Sequence, residues 1–333
     1  MILRDWCEVP ADVLRTAYEN ERHRWLSVLQ WDSAAAWHEI EHARVAWWLP
    51  GFVAIDQAGR LRGLIYYLIE HDRIDIGGLV SDVDLATDVL LDGVITVAQA
   101  LELPTMRGLL LDSAVALPSS LRIRGFALER HLYLSKLLDA PQVEASRGQR
   151  LWARLTEKPI PSERVETADS WRTGDADAAA ALLARAYDRE GGRLFAPNNQ
   201  AGEWQRYVRN LVAHVGCGTL NAGLSQVIRD ENGILGLALM TDIAPGIAHL
   251  VQLAVDPAAR GARLGEALVT RAGSLLQKAS YQTMTLMVSE RNVAARALYD
   301  RAGFRHDATF LAATLNVAHA PAVMQQRALA NAS

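Results

Sequence analysis

Val255-Asp256-Pro257-Ala258-Ala259-Arg260-Gly261-Ala262-Arg263-Leu264-Gly265-Glu266-Ala267-Leu268 reads as the end of a strand, a tight turn bearing glycine, and the start of a helix. A turn of this kind aims a row of backbone N–H groups and the positive end of a helix dipole at one point. That point suits an anion, above all a pyrophosphate. Gly261 lets the backbone approach such a ligand closely, and Gly265 lets the helix start sit against the strand. Arg260 adds a charged fork near the same oxygens.

The bulk of the chain narrows the setting. Its 333 residues suit two domains, and 50% hydrophobic with 22% charged residues suits globular cores. A formal net charge of -4 gives no basic field for nucleic acid. The two cysteines, Cys7 and Cys217, form no C-x-x-C pair, so neither a metal knuckle nor a redox dithiol is expected. No apolar run reaches membrane-spanning length, and the first residues do not read as a leader. The reading is cytoplasmic, with neither membrane nor nucleic acid as a partner; oligomeric state is left open.

The two halves repeat one pattern in one order. Ala17-Tyr18-Glu19-Asn20-Glu21 answers Ala186-Tyr187-Asp188-Arg189-Glu190 at the close of a helical pattern. Phe52–Ile55, a turn ending in Gly59 and Leu64–Tyr67 answer Gln226–Ile228, a turn ending in Gly233 and Leu237–Met240, as hairpins do. Gly78–Asp82 answers Gln252–Asp256, followed by helical segments at 83–101 and 263–279. Thr105 and Thr283 then open strands, and short helices close on Gly125-Phe126 and Gly303-Phe304. The expected fold is α+β: two tandem domains, each a central mixed β-sheet flanked by helices. The expected boundaries are 1–140, a Pro-bearing linker at 141–164, a second domain at 165–316 and a C-terminal tail at 317–333.

The segment from His249 to Phe304 resembles the core of the GNAT acetyltransferase superfamily. Two phrases carry the resemblance: Val255-x-Pro257-x-x-Arg260-Gly261-x-x-x-Gly265, and Val288-x-x-x-Asn292-x-x-Ala295-x-x-Leu298-Tyr299-x-x-x-Gly303-Phe304. It implies acetyl-coenzyme A as co-substrate, held between two splayed strands, with no metal. The acceptor would be a small-molecule amine or a peptide amine, attacking the acetyl carbonyl directly in a ternary complex. It also implies a coenzyme site formed by Leu253, Ala254, Val255, Arg260, Gly261, Ala262, Arg263, Leu264, Gly265 and Asn292. Amides along Leu253–Val255 would polarise the thioester carbonyl, and Asn292 would hold the pantetheine arm or cap the helix. Tyr299 is the expected general acid for the departing thiolate. His249 is the expected base, with Asp242 and Glu290 as alternatives. The family usually has glycine where this chain has Arg263.

The first half departs further. Its matching turn, Asp82-Val83-Asp84-Leu85-Ala86-Thr87-Asp88, has no glycine or arginine and carries three acids, which repel phosphate. Ala114 and Leu121 stand at the positions of Asn292 and Tyr299. The first domain is therefore read as degenerate, bracing the second or adding a wall to its cleft. A tandem with one working half resembles the mycothiol synthases in architecture, without matching substrate residues.

Two other readings remain open at this point. His38-Glu39-Ile40-Glu41-His42 has the H-E-x-x-H spacing that puts two histidines on one helix face, as in zinc hydrolases, although no third ligand is evident. An acyl-coenzyme A sensor without catalysis would keep the same turn. Trp25, Trp31, Trp37, Trp47 and Trp48 crowd the first half, either as core or as the wall of an apolar pocket.

Overall fold

A computed structural model describes residues 1–112, 116–138, 168–187, 192, 194–196, 198–214, 216–231 and 233–320. The expected linker at 141–164, residues 321–333 of the expected tail, Ala114 and the acidic phrase at 188–190 lie outside the described residues. The chain forms two units: Met1–Leu132 with Ala308–Ser333, and Tyr133–Asp307. Each is a mixed sheet flanked by helices, so the α+β tandem architecture is observed.

The first unit runs β1 (Ile2–Asp5), α1 (Ala11–Leu29), α2 (Ala34–Val45), β2 (Gly51–Ile55), β3 (Leu61–Glu70), β4 (Arg73–Ser81), α3 (Asp84–Ala100), β5 (Thr105–Leu111), α4 (Leu117–Ile123) and the start of β6 (Ala127–Leu137). The β2–β3 turn is a local product of its sequence. Asp56 accepts from the amides of Ala58 and Arg60, each at 2.9 Å, and Gly59 takes φ +80°. Strand alternation then feeds two cores. Ala54 and Ile65 join Leu90, Leu91, Val94 and Ile95 of α3, while Val53 and Leu64 join Trp6, Val9, Leu14 and Leu49. Helix α4 ends as expected: Gly125 takes φ +85° and the Phe126 amide returns to the Leu121 carbonyl at 3.1 Å. Beside β5, in antiparallel register from Leu111–Phe310 to Thr105–Asn316, lies β13 (Arg305–Asn316), which comes from the end of the chain.

The second unit receives the last residues of β6 and runs β7 (Asp169–Ser170), α5 (Ala176–Ala186), α6 (Ala201–Ala213), β8 (Thr219–Leu220), β9 (Gln226–Asp230), β10 (Gly233–Ala244), β11 (Ile247–Val255), α7 (Leu264–Lys278), β12 (Thr283–Ser289) and α8 (Val293–Arg301). Its strand order is β6-β12-β11-β10-β9-β7. Helix α6 buries Trp204, Val208 and Leu211, and α7 buries Leu264, Leu268, Ala272 and Leu276, both at helical spacing. Both ends of α8 are fixed by its own sequence. The Asn292 side chain caps the Ala295 amide at 3.1 Å, and Gly303 takes φ +88°.

The first unit shows why its half reads as degenerate. Salt bridges from Arg124 to Asp88 and Asp92, each 2.6 Å, tie α3 to the end of α4, and Arg62 pairs with Asp82 at 3.1 Å. Two of the three acids of the first-half turn, Asp82 and Asp88, are thus neutralised from within the protein. At the β3–β4 register shift, Gly77 and Gly78 lie under the Tyr66 ring. A Cβ on either would stand 2.4–2.5 Å from that ring, which is itself stacked on Trp6 at 5.3 Å. On α2, Glu41 binds Arg44 and Tyr18, at 2.7 and 3.2 Å. Among the described residues no group of three His, Cys, Asp or Glu stands where it could share a metal. Among them, too, no helix is long and apolar enough to cross a membrane.

The glycine contact makes a direct test. Gly78→Ala should lower stability in urea by about 1–3 kcal/mol, the usual cost of overpacking a rigid site. Gly202→Ala, on α6 with open space around its Cα, should instead be neutral or stabilising by up to about 1 kcal/mol.

Candidate active site

The site begins with a ladder that stops. Strands β11 and β12 pair in parallel from Ile247–Thr283 to Leu250–Leu286, yet β11 continues to Val255 and β12 to Ser289. On its other edge β11 stays paired with β10 as far as Val255–Gly236. That second ladder slips twice: between Asp242 and Ala244 near the hairpin end, and again where Leu250 faces Met240 and Gln252 faces Leu239, so Val251 is a bulged residue. The bulge turns β11 where its partner leaves. Among the described residues, those peptide groups of Leu253–Val255 that face away from β10 thereby lack a strand partner, the property an oxyanion-binding edge requires.

Past Val255 the chain makes the expected turn. The Asp256 carboxylate accepts from the Ala258 amide at 3.0 Å and from Arg185 at 2.9 Å, and these contacts hold it below the usual carboxylate range. Pro257–Ala259 form a short 3-10 turn, Gly261 takes φ +83°, and Arg263 takes φ +55° immediately before α7. The left-handed backbone at Arg263 explains why glycine is the easier residue there. The first helical bond runs from Ala267 N to Arg263 O at 3.1 Å. The amides of Leu264, Gly265 and Glu266 precede it and form the helix N-terminus. A Cβ on Gly265 would meet Leu298, Val255 and Leu253 at 3.4–4.0 Å, so this glycine seats α7 against both β11 and α8.

The arginines are held by protein groups. Arg260 donates to the Ala186 carbonyl at 2.6 Å, at the end of α5. Arg263 pairs with Glu266 at 2.5 Å, and Arg301 stands 3.8 Å from the same carboxylate. Ala262 lies in the turn between Gly261 and Arg263, and Asn292 caps α8.

Tyr299 lies buried on α8, its ring edge-on to Phe304 at 5.7 Å. Burial pushes its phenol well above the ordinary range, and neighbouring Tyr187 adds to the shift. His249 lies in the paired part of β11. It is 5% exposed, stacked on Tyr133 at 5.7 Å, with Nδ1 2.9 Å from Thr285 Oγ1, and desolvation pushes its pKa down to about 3. Asp242 faces Ala248, five positions before Leu253 and so about 16 Å along the strand at 3.3 Å per residue. It accepts from Tyr281 at 2.7 Å and Asn221 at 3.0 Å. Glu290 directly follows β12, and its carbonyl accepts from Arg296 at 3.0 Å. Tyr299 and Leu253–Gly265 thus surround the splayed end, whereas His249 and Asp242 belong to the paired end.

Three residues that sequence reasoning left without a role stand at the splay. Tyr187 Oη donates to Gln252 Oε1 at 2.9 Å, and Gln252 Nε2 donates to Tyr207 Oη at 2.6 Å. The only signal for Tyr187 was its place in the repeated Ala-Tyr phrase.

Compared with known proteins, residues 221–306 match the acetyltransferase (GNAT) domain. The span holds the splayed strands, the turn and both motif helices. Among solved structures it is similar to a GCN5-related N-acetyltransferase from Sphaerobacter thermophilus, at 15% identity and TM-score 0.65, covering 96% of this chain and 97% of that one. It is also similar to a tandem GNAT protein from the clavulanic acid biosynthesis pathway, at 14% identity and TM-score 0.52, covering 81% and 83%. A fungal GCN5-related glucosamine N-acetyltransferase region matches at 13% identity and TM-score 0.60, covering 94% of this chain and 38% of that one. No curated protein sequence matches the chain.

The turn's backbone is open to test by itself. Nothing lies within 4 Å of a Cβ built on Gly261, but its φ is +83°. Gly261→Ala should therefore cost about 1–2 kcal/mol in denaturant unfolding through backbone strain alone.

Proposed function

We propose that the chain is an acetyl-coenzyme A-dependent N-acetyltransferase acting on a primary amine by direct attack in a ternary complex. The observation that carries this reading is the loss of β11–β12 pairing immediately before a turn that ends in an α-helix N-terminus. An extended thiol arm suits the splay, and the amides of Leu264, Gly265 and Glu266 suit a pyrophosphate. When bound, acetyl-coenzyme A supplies the thioester. The unpaired amides along Leu253–Val255 then polarise its carbonyl, and their fixed orientation makes that stabilisation effective.

Tyr299 holds the proton for the leaving thiolate. Its raised phenol stays protonated through neutral pH, the state a general acid must have before the step. The base role proposed for His249 from sequence is not retained. An imidazole with a pKa near 3 collects almost no protons at neutral pH, and its ring is committed to Tyr133 and Thr285. Asp242 is too distant along the strand to serve. The amine proton is assigned to solvent at the splayed end, where Glu290 follows β12 and can receive it through water, and His249 to packing of the paired end.

Thiol release from acetyl-coenzyme A across a panel of amines tests the activity, with coenzyme binding followed by thermal shift. Transfer to at least one amine supports the reading; tight binding with no release across the panel points to a sensor. Tyr299→Phe should reduce turnover about 100-fold and leave the coenzyme-induced shift unchanged, whereas Gly265→Glu should abolish that shift through bulk and charge. The pH profile checks the acid. Because the folded pKa is raised, the donating form is complete below it and is lost only as pH rises through it. Turnover should show no alkaline decline up to about pH 10, the ordinary tyrosine value. A decline centred below that would reject Tyr299 as the acid.

A further inference from the structure

The Tyr187–Gln252–Tyr207 chain points in one direction. Gln252 is 2% exposed, and its next residue along β11 is Leu253. Its carboxamide is used at both ends, receiving a proton from Tyr187 and giving one to Tyr207. Once Tyr187 donates to Gln252 Oε1, its oxygen has lone pairs but no proton for any further partner. The ring is also fixed in place. It stacks on Trp204 at 5.3 Å and meets Phe195 edge-on at 5.6 Å. Its amide caps α5 on the Leu183 carbonyl at 3.0 Å, and the preceding carbonyl receives Arg260 of the coenzyme turn at 2.6 Å. Tyr187 is also the electrostatic neighbour of Tyr299.

The first unit provides an internal contrast. The tyrosine of its matching sequence phrase, Tyr18, lies inside α1, which continues to Leu29 instead of closing there as expected. It donates to Glu41, and the residue aligned with Gln252 is Gly78, covered by the Tyr66 ring. The polar chain therefore belongs to the half that carries the coenzyme turn.

We propose that Tyr187 Oη accepts a hydrogen bond from an N–H of the incoming amine, and that Gln252 is the positioning residue that keeps this oxygen an acceptor. The inference rests on the acetyl-transfer reading above and names the residues that would select its primary amine. A primary amine has one N–H to give to Tyr187 and another to lose on acylation. A secondary amine has only one N–H for both roles. The site therefore selects primary amines, and the selection resides in an oxygen that contributes nothing to coenzyme binding.

The test uses the full chain, the best primary amine from the panel and its N-methyl derivative. Wild type should prefer the primary amine about tenfold in kcat/KM, the scale of one neutral hydrogen bond. Tyr187→Phe should lower kcat/KM for the primary amine about tenfold, mainly through KM, and leave the N-methyl derivative and the KM for acetyl-coenzyme A within about twofold. Gln252→Leu should reproduce this pattern, and the double variant should be no worse than either single one, because both remove the same contact. Should Gln252→Leu not fold, Tyr187→Phe decides by itself. A preference for the primary amine that survives Tyr187→Phe, or additive losses in the double variant, would overturn the proposal and leave acetyl transfer intact. Absence of transfer to any amine by wild type would overturn both.

Discussion

A β-strand in the middle of a sheet normally satisfies its peptide groups on both edges, and β11 does so for only part of its length. Four pairs join it to β12, from Ile247–Thr283 to Leu250–Leu286, before the two separate. The bulge at Val251 lets the strand change direction without losing β10, so all the disruption falls on one edge. Everything of chemical interest follows from that asymmetry. Peptide groups of Leu253–Val255 that face away from β10 are left without a strand partner among the described residues, and the chain leaves the sheet there to build the turn. Helix α7 then begins close enough for Gly265 to rest against Val255 and Leu253. Leu298 closes on the same glycine and brings α8, with Tyr299, to the open end.

The first unit has the same backbone device with different side chains around it. Strands β4 and β5 also pair over four positions, from Arg73–Thr105 to Ile76–Gly108, and then part. The β3–β4 register slips at Gly77, as β10–β11 slips at Val251. Side chains make the difference. Tyr66 covers the bulge with its ring, Asp88 and Asp92 of α3 are bound by Arg124, and Leu121 is packed where α8 has Tyr299. The duplicated scaffold is kept while each chemical element is replaced by packing or an internal ion pair.

Local features were legible in the sequence because they are decided by local physics. The hairpin ending in Gly59, the helix ends at Gly125 and Gly303, and the turn at Gly261 all need left-handed backbone, which glycine supplies at little cost. Helix α3 at Asp84–Ala100 and helix α7 at Leu264–Lys278 lie within the segments their apolar spacing indicates. Long-range choices were not legible. That β13 lies beside β5, and that β6 extends into the second unit, depends on which strand edges are exposed after folding. His249 met the same limit. Its residue type suggests a base, and only its burial against Tyr133 reveals a neutral ring. Gln252 is silent in sequence for the converse reason, since its two tyrosine partners lie 65 and 45 residues away.

Arg263 combines these local and long-range demands. A left-handed φ of +55° costs a side chain about 1 kcal/mol or more, so its persistence needs a compensating contact. That contact is Glu266, an acid in the first turn of α7. Glu266 favours the helix through the dipole, yet by itself it would oppose an anion at the same N-terminus. Arg263 cancels this opposition at 2.5 Å, with Arg301 at 3.8 Å from the same carboxylate. Glycine at this position would relax the backbone but leave Glu266 at the proposed anion site with, among the described residues, the more distant Arg301 beside it. The arginine is therefore coherent with the proposed anion site: the strain at one residue is the condition under which an acidic first turn could share its helix end with the proposed pyrophosphate.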